Sequence, residues 1–286
     1  MIAQDTMIRQ AARLALLRKD FPRFAAEQLR IATKDATIEP FMLYPFQHIL
    51  YNRAMDQQRR RGWVRQVWLK GRQAGFSTIA QALIFWRTIL NPNTNAIVVA
   101  HDTGTAQTIF NMARLFYDKM APELKPMVRY SSKTELVFNN PNDRDRIKLP
   151  GLNSRIVVAT ARNIHSGAGA TLHCVHLSEA ARYPNAVEIE SATLQAVPLK
   201  PGTFVIIEST ARPDGYWFRD MCDRAMAGDS QYEFQFVPWK DDPSCVAPLD
   251  PGEVFELTPD ERDIQLEHGL TLEQLKWRRF KLSEKR

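Results

Sequence analysis

The sequence predicts an α/β protein whose mostly parallel sheet is flanked by helices on both faces. Three observations carry that expectation. Short runs rich in β-branched residues recur through the middle of the 286-residue chain: VRQVWLK (64–70), NAIVVA (95–100), RIVVAT (155–160), LHCVHLSE (172–179), TFVIIEST (203–210) and EFQFVPW (233–239). They are apolar at successive positions rather than alternate ones, which marks strands buried on both sides. Segments of helical character (77–90, 102–120, 186–197 and 213–227) separate several of them, and parallel crossovers need that alternation.

The flanks read differently. Residues 6–33 place Ile8, Ala11, Ala12, Leu14, Ala15 and Leu17 at helical spacing, with an interruption near Pro22. In IEPFMLYPFQHILYNRAM, Pro45 marks the start of a further helix. Segment 129–151 alternates as a hairpin does, with its turn at 139–143. Beyond Trp239 the chain becomes Pro- and Asp-rich (WKDDPSCVAPLDPGE), as a linker would, before a last helix in LTLEQLKWRRFKL. Three units are expected: a helical N-terminal subdomain (1–60), an α/β core (61–240), and a linker with a C-terminal helix (241–286).

Hydrophobic residues at 44% and charged residues at 24% give the balance of a soluble globular protein. No run approaches the ~18 consecutive apolar residues that span a bilayer, and the N-terminus lacks the apolar core of a secretory signal. Cys174, Cys222 and Cys245 show no paired spacing, which suits a reducing compartment. The basic residues behind the net charge of +6 concentrate in RQAARLALLRKDFPR, RRRGWVR, RDRIK and KWRRFKLSEKR. Such runs are either solvated faces or a surface for a phosphate backbone, and charge alone does not choose between them.

The stretch WLKGRQAGFSTIAQ (68–81) is the first candidate for chemistry. It reads as strand, Gly-containing turn and buried helix, the setting of a phosphate-binding loop. Gly75 and Ser77 stand where that motif has its second glycine and its hydroxyl, but Phe76 fills the lysine slot and Lys70 precedes the loop. Gly71 and Gly75 permit close approach of backbone to phosphate. The amides of Gln73, Ala74, Phe76 and Thr78 would line an anion site at the helix N-terminus. Ser77 can offer its hydroxyl to Mg²⁺, Lys70 its ammonium to the same phosphates, and Arg72 is a second cation. The alternative is an ordinary strand–turn–helix with incidental glycines.

Three further segments bear on this reading. In LHCVHLSEAARY, Glu179 follows an apolar strand, where a nucleotide hydrolase needs a carboxylate to orient water or hold metal. Ser178 occupies the place of a preceding acid and can hold only a metal-bound water. In TFVIIESTARPDG, Ser209 and Thr210 end a buried strand, at the edge where ligands of open α/β sheets collect. In YPFQ, Gln47 has the donor and acceptor to read an adenine edge, and Tyr44 or Phe46 a ring to cover it. Helix starts and turn caps explain the same residues without function. His173, Cys174 and His176 share one strand without a second pair to complete a metal site, so they belong to core packing.

Taken in order, YPFQ, KGRQAGFS, VHLSE, IIESTA, FVPW and LTLEQLKWRR resemble the ATPase domain of the large terminase subunit of tailed phages, from about Phe41 to Arg279. The resemblance implies a P-loop NTPase fold of the RecA/ASCE-like kind with a helical N-terminal lid region. It also implies a motor that spends ATP, with Mg²⁺, to drive double-stranded DNA into a procapsid. That family includes members whose loop lysine stands at the start of the motif. Lys70 would then be the phosphate-binding lysine, Gln47 the adenine-reading glutamine, Glu179 the catalytic carboxylate and Ser209–Thr210–Ala211 the coupling motif. The implied partners are double-stranded DNA, the portal protein, the small terminase subunit and further copies in a homo-oligomeric ring, expected as a pentamer. The implied place is the host cytoplasm and, transiently, the procapsid portal, with no membrane.

Two departures qualify it. Family members often offer an arginine to a neighbour's ATP about a turn before the catalytic strand, where this chain has Ala168; Arg162 or Arg155 would have to substitute. Full-length relatives also carry a nuclease domain, which needs on the order of a hundred residues, more than follow Trp239. The expectation is a motor half without nuclease activity. Rival readings are a helicase-like ATPase, a class that normally uses two such folds per chain, and a non-catalytic DNA- or portal-binding adaptor, for which Phe76 and Ser178 speak.

Overall fold

Strands that are apolar on both faces need cover on both, and the elements supply it in chain order. The computed structural model describes residues 2–33, 35–71, 75–163 and 171–284. The chain begins with α1 (Ile2–Leu17), α2 (Phe21–Gln28), β1 (Arg30–Ala32), β2 (Ile38–Pro40) and α3 (Pro45–Arg61). The core follows with β3 (Val64–Leu69), α4 (Phe76–Leu90), β4 (Asn95–Ala100), α5 (Thr103–Lys119), β5 (Tyr130–Ser131), β6 (Glu135–Asn139) and β7 (Gly151–Thr160). Then come β8 (Cys174–Ser178), α6 (Ala186–Ile189), β9 (Phe204–Ser209), α7 (Tyr216–Ala227), β10 (Glu233–Phe236), α8 (Pro259–His268) and α9 (Leu272–Ser283).

One eight-stranded sheet has the order β10-β3-β9-β8-β4-β7-β6-β5. Its first six strands are parallel, and β6 and β5 extend it antiparallel. The expected class is therefore the observed one: a mostly parallel sheet between helices. Alternating side chains divide the core. Trp68, Phe204, Ile206 and Val98 point to the face covered by α4, α5 and α2, whereas Val67, Val99, Leu177 and Ile207 point to the face covered by α7. Helix α4 lies against the sheet, α2 and α5 and is buried on almost every side, which explains a helix with hardly a polar stripe.

Several element boundaries follow local chemistry. Asp20 accepts a hydrogen bond from the Arg23 amide at 3.0 Å and starts α2. Pro22 sits in the first turn of that helix, where a missing N–H costs nothing. At the start of β3, where no neighbouring strand reaches on one side, the Gln57 side chain does so instead. It bonds the Arg65 amide at 2.8 Å and carbonyl at 3.0 Å.

Some expectations give way. Residues 30–32 form a strand paired with 38–40 and are not the end of a helix. The connection in 129–151 is longer than a tight turn, with β6 pairing β7 across 140–150 and the short β5 on its outer edge. Segment 186–197 is four α-helical residues and then a π-helical turn, Glu190–Leu194. The stretch after Trp239 contains an unforeseen helix, α8, opened by a Thr258–Glu261 capping box. Trp239 stacks on Trp277 of α9 at 5.3 Å. The basic runs are also less open than they read. Arg65 is buried, Arg60 pairs with Asp56 and Glu233, Arg13 and Arg23 pair with Glu27, and Arg129 and Arg146 pair with Asp143.

Phe76 is 1% exposed, stacked on Phe46 at 5.2 Å and edge-on to Trp68 at 6.2 Å. Phe76→Ala is expected to lower unfolding free energy by about 3–5 kcal/mol through cavity formation, read by urea denaturation. A second expectation concerns pH. Arg279, at 2.5 Å from the buried Glu261 carboxylate, holds that carboxyl down at about 2 against an ordinary 4.5. A depressed acid stabilises the fold above its unfolded pKa and loses that contribution as pH falls towards its folded one. The urea-midpoint difference between wild type and Glu261→Gln should be full at pH 6 and shrink steadily below pH 4.5.

Candidate active site at the strand ends

The site is set by register. Trp68, Glu208 and Ser178 lie side by side across β3, β9 and β8. With a side-chain period of two, Lys70, Glu208, His176 and Ser178 share the sheet face that α4 covers. The first turn of α4 brings Ser77 down onto the same spot. Five side chains thus meet where parallel strands end and a helix begins.

Lys70 is at their centre. Its ammonium lies 2.5 Å from Glu208 Oε2, 3.1 Å from Glu179 Oε1 and 3.1 Å from Ser77 Oγ, and its side chain is 7% exposed. Glu208, which the sequence reading passed over, is 0% exposed. Its Oε1 accepts from Ser178 Oγ at 2.7 Å and Ser77 Oγ at 2.8 Å, and lies 3.3 Å from His176 Nε2. An ionised carboxylate only accepts, so His176 carries its proton on Nε2. Burial works against the Lys70 ammonium, but Glu208 and then Glu179 outweigh it and hold its pKa above that of a free lysine. Burial likewise opposes the Glu208 anion, and Lys70, followed by His176, outweighs it; its carboxyl titrates far below the usual range. Lys70 and Glu208 are both ionised at neutral pH.

Glu179 is placed by backbone geometry. It follows β8 in the left-handed region (φ 56°, ψ 43°), uncommon for a residue with a side chain. The Arg182 amide closes a turn onto the Glu179 carbonyl at 2.9 Å. The Ala181 amide donates to Ser209 Oγ at 3.1 Å, tying that turn to the end of β9. Glu179 Oε2 is buried without a hydrogen-bond partner, 3.7 Å from Arg182 Nε.

The remaining candidates fall in different places. Gly75 caps α4 with φ 69°, and a Cβ there would come to 3.0 Å of Gln47 Nε2, so both conformation and space call for glycine. At Gly71 a Cβ would meet nothing within 4 Å. Among the described residues no side chain caps the first turn of α4, whose Phe76, Ser77 and Thr78 amides have no partner within the helix. Phe76 can contribute only through that backbone, since its ring is in the core. Gln47 is buried, its Oε1 accepting from the Tyr44 amide at 2.9 Å and its Nε2 donating to the Gly75 carbonyl at 3.1 Å. Both ends of that amide are engaged in the fold. Phe46 is buried too, so Tyr44 is the ring of YPFQ that faces solvent. Ser209 turns to the opposite sheet face from Glu208, and Thr210 is buried just beyond it. Arg72, Gln73, Ala74 and Ala168 lie outside the described residues. Of the two substitute arginines, Arg155 is at the far end of β7, opposite Asn95, while Arg162 is exposed just past the end of β7 on the site's edge of the sheet.

Among the described residues no group of three or more His, Cys, Asp or Glu forms a metal cage, and no helix is long and apolar enough to cross a membrane. Two carboxylates share the Lys70 ammonium, Arg182 is the next cation, and one carboxylate oxygen lacks a hydrogen-bond partner. A divalent cation shared with an anionic ligand fits such a site better than one held by protein alone.

Removing one partner of a buried ion pair strands the other. Lys70→Met should therefore cost about 3–5 kcal/mol in urea denaturation, and the double variant Lys70→Met/Glu208→Gln should recover most of it. Recovery below half would show that the pair is not the dominant interaction of Lys70.

Comparison with known proteins places this geometry in a fold. The HK97 bacteriophage large terminase superposes with a TM-score of 0.60 at 15% identity, over 88% of this chain and 51% of that one. The large terminase ATPase domain of Thermus phage P74-26, in a mutant form, gives 0.54 at 17% identity, over 83% and 92%. This chain thus spans about half the length of the HK97 protein. No protein-family model and no curated protein matches the sequence. At such identities the likeness concerns architecture: the chain has the P-loop ATPase fold of these phage large terminases.

Proposed function

We propose that this chain is an ATP-hydrolysing motor domain of the large-terminase kind. The observation that carries the reading is the meeting of Lys70 and Glu179 at 3.1 Å, beside the uncapped N-terminus of α4. A lysine, a carboxylate and a row of helix amides at one sheet edge are what binding and hydrolysis of a phosphoanhydride require.

Each group has a part. The α4 amides and Lys70 bind phosphate oxygens, with Lys70 exchanging its contact to Glu179 for the ligand. Glu179, freed from the ammonium, orients a water and takes its proton as the water oxygen bonds to the terminal phosphorus. The bond to the bridging oxygen breaks, and ADP leaves with the electron pair. Ser77, Ser178 and Glu179 are the residues near enough to hold Mg²⁺ or its waters. When bound, that ion would neutralise charge on the phosphate oxygens. Gln47 supports the loop through Gly75 and retains one N–H and one lone pair for a base. Arg162, exposed just past β7, is our candidate for an arginine offered to a neighbouring copy.

Double-stranded DNA as the moved polymer, a portal and small terminase subunit as partners, and a homo-oligomeric ring rest on the likeness in fold and the ordered motifs. The basic runs add little, because many of their arginines are internally paired. A helicase-like motor remains the nearest rival.

The test is hydrolysis by Glu179→Ala. Turnover should fall by about 10²-fold or more, while a fluorescent ATP analogue binds as it does to wild type. Near-normal turnover would remove Glu179 from this role. Stimulation of wild type by duplex DNA, without unwinding of a forked duplex, separates packaging from helicase action.

A further inference from the structure

We propose that Glu208 supplies, from the neighbouring strand, the metal-side carboxylate that position 178 lacks, acting through the Ser77 and Ser178 hydroxyls. The inference rests on the ATP-binding reading above and names a residue which that reading leaves without a role. Ser178 and Glu208 are direct partners in the ladder between β8 and β9, and their side chains join at 2.7 Å. Serine and glutamate together thus place an anion beside the spot that a single acid at the end of β8 would occupy.

The direction of the Ser77 hydrogen bond is the second argument. A hydroxyl ligates a cation through a lone pair, so its proton has to point elsewhere, towards an acceptor. Ser77 Oγ donates to Glu208 Oε1 at 2.8 Å, and the Lys70 ammonium already sits on its lone-pair side at 3.1 Å. Ser77 is therefore held in the orientation a metal ligand needs. Charge is the third argument. Glu179 and Glu208 share the Lys70 ammonium, the next cation is Arg182 at 3.7 Å from Glu179 Oε2, and that oxygen is buried without a hydrogen-bond partner among the described residues.

A glutamate present only to neutralise Lys70 needs neither serine. The two roles predict different results when metal and nucleotide are varied separately. In this scheme Glu208 is a positioning residue, and its loss should affect metal affinity far more than nucleotide affinity.

The experiment measures binding of a fluorescent ADP analogue to the full chain, first in EDTA and then with titrated Mn²⁺, whose binding is followed independently by loss of the free-ion resonance signal. Wild type should bind the nucleotide weakly in EDTA and more tightly with Mn²⁺. Glu208→Gln keeps the shape and removes the charge. Its EDTA affinity should stay within about threefold of wild type, and its Mn²⁺ affinity should fall about 10- to 100-fold, the range for supporting residues around a metal. Returning a carboxylate to β8 in Ser178→Asp/Glu208→Gln should restore most of the Mn²⁺ affinity, whereas Ser178→Asp alone, with two carboxylates face to face, should melt lower than wild type. Unchanged Mn²⁺ affinity in Glu208→Gln, or no rescue in the double variant, overturns the proposal. Should Glu208→Gln fail to fold, the double variant decides: wild-type-like Mn²⁺ affinity supports the assignment and its absence sinks it. If wild type binds no nucleotide in either condition, the ATP-binding reading itself falls, a result distinct from failure of the Glu208 assignment.

Discussion

A carboxylate in the middle of a protein sheet stays ionised only if cations and donors are brought to it, and Glu208 imposes that requirement on everything around it. Two neighbouring strands and a helix meet the demand. Lys70 follows directly on β3, β8 contributes His176 and Ser178, and α4 contributes Ser77. Lys70 and Ser77 come from one stretch of chain, His176 and Ser178 from a second, and Glu208 itself from a third. Their convergence depends on β9 lying between β3 and β8, because a β9 elsewhere in the order would leave Lys70 and Ser178 without a shared anion.

Packing explains why a phenylalanine stands at position 76. In the usual motif the cation leaves the loop just before the helix, at the position Phe76 holds here. In this chain that position faces the core between Phe46 and Trp68, and an ammonium there would be buried among rings. The cation at this helix end is Lys70, one residue past β3, whose ammonium lies 3.1 Å from Ser77 Oγ. Phe76 is a packing residue at the start of α4.

Much of this was legible in the sequence, for reasons that also explain what was not. A strand such as NAIVVA announces itself because burial on both faces favours an unbroken run of β-branched apolar residues, too short for a helix. Lys70 and Glu179 could be found because they follow such strands. Glu208 was missed although its signal was present. A lone acid inside FVIIES, otherwise wholly apolar, has to be neutralised by something, and the nearest unexplained cation was Lys70. Segment 30–32 misled because its apolar residues fit a helix as well as an edge strand, and pairing with 38–40 is a non-local fact. The double engagement of Gln47 was equally invisible, since Gly75 and Tyr44 meet it only in three dimensions.

The two acids at this site do different work, and their backbones show why. Glu208 belongs to a regular strand and is fully buried, its Oε1 accepting from Ser77 and Ser178 and its Oε2 2.5 Å from the Lys70 ammonium. Glu179 stands one residue past its strand in a left-handed conformation that the turn to Arg182 and the Ser209–Ala181 bond hold in place. Its side chain is 20% exposed, and one oxygen has no hydrogen bond. A fixed anion can set the direction of hydroxyls and the charge of a pocket. An acid at the rim, restrained in backbone but loose in side chain, can exchange one partner for another. The Ser209 link also means that Glu179 cannot shift its backbone without pulling on the end of β9, the strand that carries Glu208. Any ligand that draws Lys70 away from Glu179 acts on both acids at once, because the same ammonium is the ion-pair partner of Glu208.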